Sequence, residues 1–262
     1  MIKVDREHVK RIFADYVRHY NDKDPKIRLK IVHTYKVSEL CDDITASLGL
    51  SAEDRELAWL MGMLHDLGRF EQLRQYHTFQ DAESVSHAAL GCRILFEEGM
   101  LSKFVDMTGQ EPEAQLLHKA IACHSDYRIP EEYDERMKLF CNLLRDADKI
   151  DILRANCETP LEDIYNVSTE ELLQAEVSEA VMEQFKRCTA LPRKIRKTPA
   201  DYVVGMISMM FELVYPKSWE LVRRQGYLEK LLCFPSQNEK TRQQFLELRK
   251  ILEQSTETLK VQ

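Results

Sequence analysis

SAEDRELAWLMGMLHDLG, residues 51–68, opens on a serine with an aspartate three positions on and closes on a glycine. Ser51 and Asp54 form a capping-box pattern, and Leu57, Ala58, Leu60, Met61 and Leu64 recur at helical spacing. The segment therefore predicts a helix that stops near Gly68. Its last turn carries His65 and Asp66. The negative end of a helix favours a cation, so an aspartate there is unfavourable unless something positive compensates it, and a metal ion would do so.

The same signals continue on both sides. Asp5 predicts the cap of a helix through Val9, Ile12, Phe13, Tyr16, Val17 and Tyr20. Asp24 followed by Pro25 reads as an N-cap with proline in the first helical position, opening a helix that contains His33 and runs to Gly49. Downstream, Arg69 to Ser84 shows no sustained period and is expected to be a partly irregular loop, the kind of segment that displays functional side chains. Ser84 or Ser86 caps a helix from His87 to Gly99, and further helices are expected over about Pro112–His124 and Glu131–Asp151. Ser168 with Glu171 opens another reaching to about Phe185, Thr198-Pro199 opens a strongly apolar one ending before Pro216, and Asn238–Leu259 forms the last. The fold class is all-α. Residues 1–190 are expected to form the main domain and 191–262 a C-terminal helical extension, with the boundary drawn near 190–198.

Composition agrees. The 262 residues are 44% hydrophobic and 31% charged, the balance of a globular chain that buries a core. Eight glycines and eight prolines leave few of the tight turns that an all-β protein requires. A net charge of −7 gives no overall positive field to attract a nucleic acid polymer or an anionic membrane. The most apolar run, Val203 to Phe211, is too short for a bilayer span, and the first twenty residues lack the apolar stretch of a signal peptide. Seven cysteines with no C-x-x-C pair fit neither a disulfide framework nor a thiolate zinc site, which points to a reducing, cytoplasmic setting.

Imidazoles and carboxylates are the ligands that first-row divalent metals accept. They occur here in order: His33, then His65-Asp66, His87, His124, and Asp148 within RDADK. A lone His, then MLHDLG, then a distant Asp in DADKI resembles the HD superfamily of metal-dependent phosphohydrolases, over roughly residues 25 to 155. GRFEQ (68–72), TFQD (78–81) and SVSH (84–87) are similar to a bacterial subgroup of predicted hydrolases. The resemblance implies an HD-domain helical fold with His33, His65, Asp66 and Asp148 on a first metal, and His87 and His124 on a second, Asp66 bridging. It implies one or two divalent ions (Fe, Mn, Co, Ni, Zn or Mg) and hydrolysis of a small phosphorylated substrate, a nucleotide being one such, by an activated water. Asp66, Arg69 and Lys149 are the expected catalytic residues, Arg69 as a bidentate donor to a phosphate oxygen and Lys149, with Lys36, as a weaker one.

Competing assignments exist for several of these. His118 and His124 lie six residues apart, about 240° around a helix, so only one faces a common centre; His124, ending its helix, is preferred. Asp146 and Asp151 compete with Asp148. His77 and Asp81 read first as surface loop residues and second as lining of the substrate pocket, and Cys123 and Cys141 as small buried hydrophobes. The basic run Lys186, Arg187, Arg193, Lys194, Arg196 and Lys197 reads first as a solvated connection between helices and second as a contact for a phosphorylated ligand or partner. Met206, Met209, Met210 and Phe211 read as core or as a dimer face, which would make the chain a homodimer. Two functional alternatives stand beside hydrolysis: a di-iron oxygenase of HD-like fold on the same ligands, and a non-catalytic helical scaffold with a vestigial site.

Overall fold

The computed structural model describes residues 2–160 and 167–259, and among these residues there are helices and no strand. The chain is all-α. No helix among them is long and apolar enough to cross a membrane. The chain separates into two compact units, Met1–Asp148 and Lys149–Gln262.

In the first unit, α1 (Arg6–Val17) and α2 (Pro25–Ser47) start where the caps predict. The Asp5 carboxylate accepts from His8 N, and that of Asp24 from Lys26 N with Pro25 in the first turn. α3 (Ala52–Leu64) starts at Ser51, whose hydroxyl accepts from Asp54 N. α2 packs along α3, and Gly62 sets their distance: a Cβ there would stand 2.6 Å from Ser38 Cα. Both helices bury a full apolar face, including Val37, Leu40, Cys41 and Ile44 on α2 and Leu57 to Leu64 on α3. Each such Leu, Ile or Val contributes roughly 1.5–3 kcal/mol.

The expected loop over 69–84 is in large part helix, which corrects the sequence reading. α4 (Leu67–Tyr76) begins immediately after His65-Asp66 and ends at His77, whose φ of 58° is left-handed. Leu67, Phe70 and Leu73 are buried on its inner face, with Phe70 edge-on to Phe13 at 5.9 Å. Gly68 is not a helix stop but a close-contact residue, since a Cβ on it would lie 2.1 Å from His87 O and 2.6 Å from Gly91 N. This is where α4 crosses α5 (His87–Cys92), which continues as a π-turn over Arg93–Glu97. Of the two serines weighed, Ser86 is the cap of α5, accepting from Ala89 N. α6 (Leu101–Phe104), α7 (Glu111–Cys123) and α8 (Glu135–Glu158) follow, and Asp148 closes the first unit from within α8.

The second unit contains α9 (Thr169–Gln174), α10 (Glu179–Phe185), α11 (Pro199–Ser208), α12 (Pro216–Gln225), α13 (Tyr227–Leu232) and α14 (Glu239–Leu259). The single helix expected over 168–185 is two. Ala175 is extended, and the break is held by Val177 N on Thr241 Oγ1 and Ser178 N on Asp201 Oδ1. Asp201 is fully buried and also accepts from Lys197 N and Thr198 N. The basic connection is thereby bound within this unit, and the contacts divide the chain at 148/149 rather than near 190. Met210 is buried, and Phe211 packs on Phe185 with ring centroids 4.8 Å apart, so this stretch contributes to the core.

Candidate metal centre

Six side chains meet in the first unit, delivered by helix ends and helix bodies. His65 is the C-cap of α3 and His124 the C-cap of α7. Each folds its ring back on its own helix, Nδ1 lying 2.8 Å from Gly62 O and 2.7 Å from Ile121 O. A carbonyl can only accept, so both Nδ1 atoms carry the proton and both Nε2 atoms present a lone pair. His87, in the first turn of α5, is fixed the same way by a carboxylate, with Nδ1 2.7 Å from Asp81 Oδ2. His33 and Asp148 project from the bodies of α2 and α8, His33 Nε2 lying 3.0 Å from Asp148 Oδ1.

Asp66 lies between them. It is the N-cap residue of α4, yet its side chain makes no capping hydrogen bond. Its Oδ2 lies 3.5 Å from His33 Nε2 and 3.6 Å from His65 Nε2, and its Oδ1 3.5 Å from His87 Nε2 and 3.8 Å from His124 Nε2. Two ligand groups result, His33/His65/Asp66 and Asp66/His87/His124, every member buried and the donor atoms of each within 4.8 Å of one another. Asp148 Oδ1, 3.8 Å from His65 Nε2, adjoins the first group.

The electrostatics suit ligation. Burial pushes His87 and His124 down to about 4 and lowers His65 as well, so these rings are neutral near pH 7 with lone pairs to give. Burial opposes ionisation of Asp66, but Lys30, His65, Arg69 and His87 outweigh it and hold the carboxyl well below the usual carboxylate range. Asp148 and Asp81 are also lowered against their burial, Asp148 chiefly by its hydrogen bond with His33 and Asp81 by that with His87 and by Arg69. Asp66, at the C-terminal end of α3, is compensated partly by a feature not visible in sequence: it also begins α4, whose positive end faces it.

The donor set fits a cation on two grounds. His65 Nε2 is buried with no hydrogen-bond partner. His87 Nε2 and His124 Nε2 lie 3.0 Å apart although both rings hold their proton on Nδ1, so two lone pairs confront each other, an arrangement an electrophile relieves.

Around the ligands, Arg69 is clamped through Nη1 to Gln72 Oε1 at 2.9 Å, Phe79 O at 2.6 Å and Asp81 Oδ1 at 2.8 Å. Its Nε stands 3.7 Å from Asp66 Oδ1, buried and without a hydrogen-bond partner. Of the other expected cations, Lys149 Nζ lies 3.2 Å from Glu212 within the second unit, and Lys36 pairs with Glu39 on the surface. The lysine at the centre is Lys30, its Nζ 2.6 Å from Asp66 Oδ2. Lys30 and Lys36 flank His33 on α2 at equal spacing, three residues before and three after, so helical spacing alone does not separate them. Asp81, read from sequence as a surface loop residue, instead orients His87. His118 is exposed and packs on Phe96, and Asp151 pairs with Arg154, so neither joins the cluster.

A helical unit that gathers four imidazoles and two carboxylates about a buried centre fits a metal site of the His/Asp type. Residues 31–153 match the HD domain family, so that segment of the chain is of the HD type. No curated protein and no solved structure matches the chain.

Proposed function

We propose that this protein is a metal-dependent phosphohydrolase, a phosphomonoesterase or phosphodiesterase, acting on a small phosphorylated metabolite such as a nucleotide. The observation that carries the reading is Asp66, shared between two buried ligand groups. One or two divalent ions held there supply Lewis acidity toward water and toward phosphoryl oxygens. The residues of the chain do the rest. His33, His65, His87 and His124 contribute nitrogen donors, and Asp66 and Asp148 contribute charge. Arg69 Nε is the donor for a phosphoryl oxygen beside Asp66, held in place by the three acceptors on Nη1. Burial of the cluster keeps bulk water from screening these interactions. Cysteines without C-x-x-C pairs support a cytoplasmic setting.

The test is a panel of phosphomonoesters and phosphodiesters, run with several divalent metals on wild type and Asp66→Ala, with bound metal measured per chain. Wild type is expected to release phosphate, or to cleave a diester, only with metal. The variant is expected to lose that activity and most bound metal while keeping its helical circular dichroism. Full activity in Asp66→Ala overturns the assignment. Oxygen uptake by iron-loaded protein without ester cleavage replaces it with the oxygenase reading, and a wild type that binds no metal replaces it with the scaffold.

A further inference from the structure

Lys30 places an ammonium 2.6 Å from Asp66 Oδ2, the oxygen that faces His33 and His65, so a cation of the chain itself stands where that ligand group turns its charge. The Lys30 side chain is 15% exposed and that of Asp66 3%, so this is a largely desolvated ion pair rather than a surface contact. The same ammonium lies 5.7 Å from the centroid of the Phe79 ring, which Arg69 also approaches at 5.8 Å. Phe79 therefore offers Lys30 a second resting place beside the carboxylate.

We propose that Lys30 is a resident counter-ion, which neutralises Asp66 while the metal is out, yields Asp66 Oδ2 when the metal enters, and is then held on the Phe79 ring. The argument is one of charge. An ionised carboxylate buried without a partner is costly, so a centre that must exist both with and without its metal requires a cation for the interval. A lysine suits this better than an arginine, because its compact ammonium is carried on a flexible stem and does not depend on a planar two-pronged fit. Arg69 stands on the other carboxylate oxygen, its Nε 3.7 Å from Oδ1 and its Nη1 held by three acceptors, and so leaves Oδ2 to Lys30.

The inference rests on the metal-binding reading above, and its experiment separates the two. Lys30→Met keeps the aliphatic stem and removes the charge. Cobalt(II) is titrated into the full-length wild type and variant, and thermal unfolding is followed for each protein with and without the metal. The variant is expected to bind cobalt about tenfold more tightly, or more, because no ammonium has to be displaced. Its metal-free form is expected to melt lower than wild type, while the cobalt-loaded forms melt together. Lys30→Arg is expected to melt lower than wild type in the metal-free state as well. Unchanged or weaker cobalt affinity in Lys30→Met overturns the proposal. An equal fall in melting temperature with and without cobalt also overturns it, because Lys30 then serves packing alone. A cobalt-loaded variant that melts above wild type, with no fall in the metal-free form, overturns it too, since the lysine then only repels the ion. Absence of cobalt binding in wild type removes both readings, and is distinct from equal affinities.

Discussion

Asp81→Asn isolates the orientation of one imidazole from the rest of the centre. The carboxylate accepts from His87 Nδ1 at 2.7 Å through Oδ2, and from Arg69 Nη1 at 2.8 Å and Gln72 Nε2 at 2.9 Å through Oδ1. An asparagine has one accepting oxygen and one donating nitrogen. Whichever way its amide turns, a donor faces either His87 or the Arg69/Gln72 pair, and the charge is gone. The loss is about one charge-assisted hydrogen bond, roughly 1.5–3 kcal/mol. In metal affinity this corresponds to about 10–100-fold, the usual effect of removing the carboxylate behind a ligating histidine. The weakening should fall on the ion held through His87 and His124 and spare the group of His33 and His65. The assay is a competitive chelator titration of wild type, Asp81→Asn, His87→Ala and the double variant. In the His87→Ala background the asparagine is expected to cost nothing further, because the group it orients is absent. An equal loss in both backgrounds would show that Asp81 acts through Arg69 or through folding, and would refute the reasoning.

The remaining predictions concern pH and packing. His87 and His124 are held down at about 4 by burial, so the unfolded chain, with ordinary values near 6.5, takes up protons first. Their contribution is fully present above about pH 6.5 and is lost as pH falls towards 4, at up to about 1.4 kcal/mol per pH unit for each imidazole. Urea unfolding of the metal-free protein between pH 7 and 4.5 measures it, and a flat profile would contradict the buried neutral rings. Gly68→Ala forces a methyl within 2.1 Å of His87 O, where backbone rather than a side chain must move. A destabilisation of about 1–3 kcal/mol is expected, together with weaker metal binding, because the displaced carbonyl belongs to a residue of the cluster. A variant as stable as wild type in thermal unfolding would mean that α4 and α5 are not so tightly apposed.

The helix starts were readable because caps are local chemistry: Asp24 before Pro25, and Ser51 three residues before Asp54, act within one turn of themselves. α4 was not readable, because its inner face is marked only by Leu67, Phe70 and Leu73, and Gly68 imitates a terminator while serving a contact with α5 nineteen and more residues along the chain. The same limit hid Asp81, whose partners His87 and Arg69 are joined to it by the fold of an apparently aperiodic stretch. Lys30 and Lys36 stand at the same three-residue spacing on either side of His33, so spacing on α2 does not tell that Lys30 is the one that reaches Asp66 while Lys36 pairs with Glu39. The break after Gln174 depends on Thr241 and Asp201, more than twenty residues away, and no local signal in Ala175 announces it.

What places His65, Asp66 and His124 about one point is the chemistry of helix ends. The last carbonyls of a helix lack intrahelical donors, and a histidine at the C-cap satisfies one of them with Nδ1, which both fixes the tautomer and turns Nε2 away from the helix. α3 and α7 use the device identically, at Gly62 O and Ile121 O. Asp66 exploits the opposite end: it starts a helix without spending its side chain on the cap, so the field of α4 supports a charge that stays available to the cluster. A histidine ending one helix directly followed by an aspartate beginning the next thus yields an oriented nitrogen and an unspent carboxylate from two consecutive residues. Because the orientation comes from backbone carbonyls and not from the metal, the imidazoles of His65 and His124 are preorganised before any ion arrives.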